Sequence, residues 1–267
     1  MNRDRWLEVF EAVRKGAMTP EEALSRVSHL PYEDLGFARI DHHRLLRRGF
    51  PEAIFGEGKT AGEVARILQS FRERSVPALV TRLDGAKARA VKRAVPGFVY
   101  HPRSRLGYLG PAPGEGEGSV VVVSGGSSDA PVAEEAFLTA RYLGARAELH
   151  PDVGVAGLHR VTALLPSLGK ARAVVAVAGM EGALPSVVAG LTGALVIGVP
   201  TSIGYGVQDS GKTPLFAMLA SCVPGLVVVN VDAGFSAGYA AAVINRAEEA
   251  PAKRKPVAGG KAARRPR

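Results

Sequence analysis

Three groups of residues in this sequence have the types and spacing to do chemistry. Residues 206–213, Gly-Val-Gln-Asp-Ser-Gly-Lys-Thr, fit the phosphate-loop pattern G-x-x-x-x-G-K-[ST] at every fixed position. In such a loop the backbone N–H groups and the lysine hold nucleotide phosphates, and the hydroxyl holds magnesium. Residues 125–129, Gly-Gly-Ser-Ser-Asp, follow an apolar run directly and lead into a segment with Pro131 and Glu134-Glu135 in its first turns. Gly125 and Gly126 let backbone N–H groups approach a ligand, and a helix N-terminus adds a partial positive charge. Ser127 and Ser128 supply hydroxyls that can donate to a phosphate, and Asp129 can accept from a ribose hydroxyl. The same residues also suit an ordinary capped turn. The third group is a single residue, Cys222, the only cysteine. By itself it reads as a small buried hydrophobe or as a nucleophile.

Three features weigh against the phosphate loop. The apolar run before it ends near Val199, and Pro-Thr-Ser-Ile-Gly-Tyr intervenes, whereas a phosphate loop joins strand to helix tightly. Only 54 residues follow the motif, and about a third of them form a polar tail. The one apolar run that ends in an acid, Leu226 to Asp232, closes 19 residues after Thr213, which is cramped for a magnesium-holding strand.

The elements that must position these groups show in the hydrophobic pattern. Apolar, β-branched runs lie at 119–124, 172–178, 194–199 and 226–231, with a shorter one at 146–150. Helical segments at 131–144, 157–168, 184–192, 213–222 and 237–249 separate them. Continuous Val/Ile runs alternating with helices predict an α/β fold, a three-layer α/β/α sandwich with a mostly parallel sheet. Ligands of such sheets bind at the carboxyl ends of the strands.

Before this region the pattern is α+β. Helices are expected at 4–15, 20–28, 61–74 and 84–94, and strands at 77–83 and 97–102. Gly-Pro-Ala-Pro-Gly-Glu-Gly-Glu-Gly at 110–118 reads as a linker. The expected organisation is an N-terminal α+β domain over 1–112, a catalytic domain over 119–250 and a disordered basic tail over 251–267.

Charge and composition exclude several classes. The net charge is +9, but residues 251–267 hold seven Lys/Arg and no acid, leaving 27 basic against 25 acidic residues elsewhere. The folded part is thus nearly neutral, and the tail reads as a solvated terminus rather than a nucleic-acid site. No apolar run reaches the roughly 18–20 residues needed to span a bilayer. With one cysteine no intrachain disulfide can form, and the charged amphipathic N-terminus is unlike a signal peptide. A soluble cytoplasmic protein, not membrane-bound, is expected.

The Gly-Gly-Ser-Ser-Asp-Ala-Pro-Val-Ala-Glu-Glu-Ala loop, the Leu-Val-Ile-Gly-Val-Pro run at 195–200 and Ala-Leu-Pro at 183–185 resemble PurE, the aminoimidazole ribonucleotide carboxylase family. Gly126 and Ala183 stand where that family has its first loop serine and its catalytic histidine, which argues against the purine reaction itself. The segments 38–60, 152–160, 177–191, 200–206, 217–225 and 234–239 resemble the LarB family, which begins synthesis of a nickel-pincer nucleotide cofactor and has a PurE-like C-terminal domain. The resemblance runs from about residue 35 to 248. It implies a carboxylase and hydrolase that turns nicotinic acid adenine dinucleotide into pyridinium-3,5-biscarboxylic acid mononucleotide and AMP. Ala233 stands where asparagine is expected, and the 206–213 loop is the least family-like stretch.

The implied chemistry explains why a cysteine is needed. A pyridinium ring is electron-poor and cannot attack carbon dioxide. Thiolate addition to a ring carbon makes a dihydropyridine, whose 5-position can attack; covalent catalysis splits one hard step into easier ones. The resemblance gives Cys222 this role. Glu181, just past a strand's carboxyl end, suits a general base or ligand of a magnesium ion on the phosphates, and equally a solvated or N-capping acid. Asp232 ends a strand at a similar edge. His159 and Arg160 suit phosphate or a helix face. In the N-terminal region Asp41, Arg44, Arg48 and Lys59 match LarB positions, and Arg44 and Arg48 share a helix face at i, i+4. They read as contacts to the adenylate half or as a surface network with Glu52. No organic cofactor is implied, carbon dioxide or bicarbonate is the co-substrate, and a homo-oligomer is expected, an octamer by resemblance to PurE. The alternatives are a PurE-type purine carboxylase or mutase, a phosphate-loop ATPase and a nucleic-acid binder acting through the tail.

Overall fold

The structure is a computed structural model that describes residues 3–28, 32–42, 44–50, 52–111, 113–114 and 116–247. The basic tail lies outside the described residues. The N-terminal part runs α1 (Arg3–Arg14), α2 (Pro20–Ser28), β1 (Glu33–Asp34), β2 (Arg39–Ile40), α3 (Arg44–Arg48), β3 (Ala53–Phe55), α4 (Ala61–Glu73), β4 (Ala78–Thr81), α5 (Gly85–Ala94), β5 (Val99–His101) and β6 (Leu106–Leu109). The C-terminal part runs β7 (Glu117–Ser124), α6 (Ala130–Tyr142), β8 (Ala145–His150), α7 (Leu158–Thr162), α8 (Leu165–Leu168), β9 (Ala173–Ala178), α9 (Ala183–Ala189), β10 (Leu195–Pro200), α10 (Lys212–Leu219), β11 (Leu226–Val228) and α11 (Gly234–Ala247).

The C-terminal sheet has the order β11-β10-β9-β7-β8, and all its pairs are parallel. Both faces of the inner strands β7, β9 and β10 are covered, which is why these read as near-continuous apolar runs. Val120, Val122, Val175 and Ile197 face Ala133, Ala136, Ala237 and Ala241 of α6 and α11. Val121, Val123, Val174 and Val196 face Val161, Leu168, Leu184 and Met218 of α7 to α10. Burying each of these valines contributes about 1.5–3 kcal/mol over leaving it in water. The expected α/β/α sandwich is therefore present.

Small residues let α6 and α11 approach closely. A Cβ on Gly238 would lie 2.3 Å from the Ala136 carbonyl oxygen. The outer sides of these helices pack on a second sheet of order β3-β4-β6-β5. Leu79 and Leu106 of that sheet meet Leu143 and Ala242. Its other face, with Ala78 and Val80, packs on Val64, Leu68 and Val91 of α4 and α5. β4 is buried along its whole length. The layers are thus α4/α5, mixed sheet, α6/α11, parallel sheet, and α7 to α10. A Thr60–Glu63 capping box starts α4, and Asp84 caps α5; caps of this kind contribute about 1 kcal/mol each.

Two expected elements differ. The helix expected over 157–168 is broken at Ala163 and Leu164 into α7 and α8. Pro166 has no N–H to donate, and its ring would strike the carbonyl of Thr162. The strand expected over 226–231 stops at Val228; the Val229 N–H still reaches the Gly198 carbonyl at 3.0 Å, and beyond it the Val231 N–H turns to the Asn230 side chain at 2.8 Å. Among the described residues no helix is long and apolar enough to cross a membrane.

Candidate active site

The Gly125–Asp129 loop lies where the chain order of the sheet reverses, between neighbours β7 and β9. Crevices form at such points. The Gly125 N–H donates to the Val177 carbonyl at 2.9 Å, and the Val153 N–H to the Ser124 carbonyl at 2.8 Å. Asp129 is 7% exposed. Its Oδ2 accepts from the Gly126 N–H at 2.9 Å, and its Oδ1 accepts from the Thr201 hydroxyl at 2.7 Å. Burial raises its pKa, opposed by these bonds and one from the Gly179 N–H, with repulsion from Asp232 adding to the rise. Asp129 therefore staples the loops after β7, β9 and β10 together.

Those loops enclose a cavity of about 510 Å³, within the range of small-molecule sites. Gly125, Gly126, Ser128 and Asp129 form one wall, and Gly179, Met180 and Glu181 another. Ile203, Gly204 and Tyr205 form a third, and Arg160 supplies a cation. Arg160 is itself held by the Asp152 carbonyl at 2.9 Å and the Asp152 carboxylate at 3.2 Å. A serine hydroxyl and an arginine suit a phosphorylated ligand, while the Gly125 and Gly126 N–H groups are already taken up in holding the loops. Close approach explains Gly179: a Cβ there would lie 2.4 Å from the Ile203 carbonyl oxygen and 2.6 Å from Thr201 Oγ1.

A family model described as the LarB/PurE-like N-terminal domain matches residues 32–111. A second, described as AIR carboxylase, matches residues 119–259. An uncharacterized protein of Methanocaldococcus jannaschii is 34% identical over 258 residues, covering 89% of this chain and 95% of its own. The chain belongs to the LarB family. Its C-terminal sandwich is accordingly the PurE-like carboxylase domain of that family, and a carboxylase-family role follows.

Other LarB-type candidates lie outside the cavity lining. Ser127 is the one residue of the Gly125–Asp129 loop that does not line the cavity, and it is exposed; His159 is exposed on α7, one residue before Arg160. Asp232 stands behind the third wall, where its Oδ1 accepts from the Ser202 N–H at 2.9 Å. Lys59 donates to the Phe55 carbonyl at 3.3 Å. The Asp41 N–H donates to Glu52 Oε2 at 3.0 Å, and burial raises the Glu52 pKa while Arg44 lowers it. Arg48 borders Phe50, Tyr239 and Arg246 beside the far half of α11. The structure thus joins Asp41, Arg44 and Glu52 as a network and does not bring Arg44 or Arg48 to the cavity.

Cys222 is exposed, in the turn between α10 and β11. It is neither buried nor part of the cavity lining. The Ser186 hydroxyl donates to Ser221 Oγ at 2.8 Å and ties this turn to α9, whose first residues Ala183 and Leu184 line the cavity.

The 206–213 segment is not shaped as a phosphate cradle. Lys212 Nζ is 3.0 Å from Asp209 Oδ2, and the Thr213 hydroxyl donates to the Val207 carbonyl at 2.6 Å. Asp209 and Ser210 hold left-handed backbone, with φ of 47° and 53°. Two contributors escaped the reading of the sequence. Thr201 was legible only as part of a family-like segment, and Arg82 of the N-terminal part, which reaches the Asp232 carbonyl at 3.1 Å, had no signal at all.

Proposed function

We propose that this protein is a carboxylase and hydrolase that acts on nicotinic acid adenine dinucleotide and forms pyridinium-3,5-biscarboxylic acid mononucleotide and AMP. The observation that supports this most is the cavity itself, where the Gly125–Asp129 loop, Arg160 and Glu181 converge at the strand ends of a LarB-family carboxylase domain. The balance is one dinucleotide, one carbon dioxide and one water giving the mononucleotide, AMP and, with the carboxylate and both phosphates fully ionised, three protons: one from the ring carbon and two from the hydrolysis.

In this reading the Ser128 hydroxyl and Arg160 hold phosphate, and the nicotinate ring lies toward Glu181. A thiolate adds to a ring carbon beside position 5. The ring nitrogen pushes electrons to that position, which attacks carbon dioxide. Glu181 takes the ring proton, and the thiolate leaves as the pyridinium re-forms. Water cleaves the phosphoanhydride. Among the described residues no three His, Cys, Asp or Glu side chains gather as a metal site. A magnesium ion would therefore rest on Glu181, the substrate phosphates and water, a coordination magnesium favours.

Cys222 is the only sulfur nucleophile. Its place outside the lining means that it reaches the ring by movement of its turn or from a second copy of the chain, which agrees with the homo-oligomer that the family resemblance implies. The purine reaction is disfavoured because Ala183, a methyl group in the cavity lining, cannot carry the proton of a histidine. Parallel incubations test the proposal. Nicotinic acid adenine dinucleotide should release AMP, and aminoimidazole ribonucleotide should return unchanged; the reverse pattern would favour the purine enzyme.

A further inference from the structure

The third wall of the cavity is anchored from outside its own domain. Asp232 follows β11 with left-handed backbone, φ 54°. Its N–H donates to the Pro200 carbonyl at 2.9 Å, and its Oδ1 accepts from the Ser202 N–H at 2.9 Å. These two bonds pin 200–202, the segment that leads into Ile203, Gly204 and Tyr205 of the wall. On its other side the Asp232 carbonyl accepts from Arg82 Nη2 at 3.1 Å.

Arg82 comes from the N-terminal domain, one residue past β4, and is half-buried. Its backbone is also left-handed, φ 51°, as is that of Arg105, φ 53°. The two are tied together: Arg105 Nη2 donates to the Arg82 carbonyl at 3.3 Å, and the Leu83 N–H donates to the Arg105 carbonyl at 2.9 Å. Glu57 Oε2 lies 3.8 Å from Arg82 Nη1 and steadies the guanidinium. Beneath them is Glu135 of α6, 6% exposed, facing Arg82, Arg105 and Asp232 and accepting from the Phe235 N–H. Three non-glycine residues in the left-handed region thus meet at one seam. Such conformations persist only where the surroundings over-determine them, and a binding wall needs support of this kind to keep one geometry.

We propose that Arg82 is a positioning residue of the cavity: the N-terminal domain uses it to hold Asp232, and through Asp232 it holds the 200–205 wall. The N-terminal domain is then part of the binding site without touching the ligand.

Hydrogen–deuterium exchange on the full chain tests this without any ligand. Arg82→Ala should speed exchange of the Ser202 amide by about tenfold or more, while peptides from β7, β9 and β4 keep their rates. Arg82→Lys, which keeps a donor, should fall between. Asp232→Ala should loosen the same peptide, and the double variant should be no looser than the looser single variant, because both act through one linkage. Unchanged exchange at 200–205 in Arg82→Ala, a uniform rise over the whole chain, or fully additive effects would overturn the proposal. Should Arg82→Ala fail to fold, the Arg82→Lys and Asp232→Ala pair carries the same comparison. A second arm rests on the proposed function: with nicotinic acid adenine dinucleotide, Arg82→Ala should raise KM more than it lowers kcat. Failure of the unaltered protein to turn over that dinucleotide would count against the proposed function and leave the exchange result standing.

Discussion

The Thr201 hydroxyl donates to Oδ1 of Asp129 at 2.7 Å, and this one bond joins the loop after β7 to the end of β10 across the floor of the cavity. It also helps keep a buried carboxylate ionised. Thr201→Val removes the donor at nearly constant volume. A buried acceptor left short of a partner costs about 1–3 kcal/mol, so the melting temperature should fall by several degrees. Asp129 should titrate higher still, and binding that needs its carboxylate should fail at a higher pH on the acid side. Ligand affinity measured from pH 4 to 8 checks this.

Glu135 predicts a pH dependence of stability. Burial pushes its pKa from 4.5 to about 7, against the Phe235 N–H, Arg82 and Arg105. The folded state then binds a proton more tightly than the unfolded state. The contribution of Glu135 to stability is full below about 4.5 and falls as pH rises toward about 7, by an amount on the order of 3 kcal/mol. Glu135→Gln mimics the protonated form and should abolish the fall. Urea denaturation at pH 4.5 and 7.5 measures both slopes, and equal slopes in the two proteins would show that Glu135 does not control the transition.

Gly179→Ala places a methyl group against the Ile203 carbonyl and Thr201 Oγ1. The loops must part, at about 1–3 kcal/mol, and the cavity should lose affinity for nicotinic acid adenine dinucleotide by at least about tenfold. Calorimetric titration reads the affinity, and a variant that binds as tightly as the parent contradicts the placement of the ligand.

Lys212→Ala separates the phosphate-loop reading from the proposed one. The Lys212 ammonium is exposed and paired with Asp209, and exposed pairs contribute little. Turnover should stay within about twofold. Cys222→Ala should remove turnover altogether. The opposite pattern is the signature of a nucleotide hydrolase.

The centre of the sheet was legible because β7, β9 and β10 are buried on both faces, and Val runs such as 120–123 leave that mark in any sequence. The Gly125–Asp129 loop was legible because strand, glycines and helix start are contiguous. β6 was not. Its sequence, Leu-Gly-Tyr-Leu, puts a glycine mid-strand, and the reason is distant: a Cβ on Gly107 would lie 2.3 Å from the Phe98 ring. β3 has only three residues, too few for a period. Arg82 could not be read as part of the site, because its partner is 150 residues away. The position of Cys222 outside the cavity was equally hidden, since sequence adjacency to α10 says nothing of which surface the turn presents.

The most direct test uses carbon-13 bicarbonate. The protein is incubated with nicotinic acid adenine dinucleotide and magnesium, and the small molecules are weighed by mass spectrometry. The expected result is a mononucleotide carrying one labelled carboxylate, with AMP beside it, and neither product from Cys222→Ala. An intact dinucleotide, or label incorporated equally well by Cys222→Ala, would contradict it.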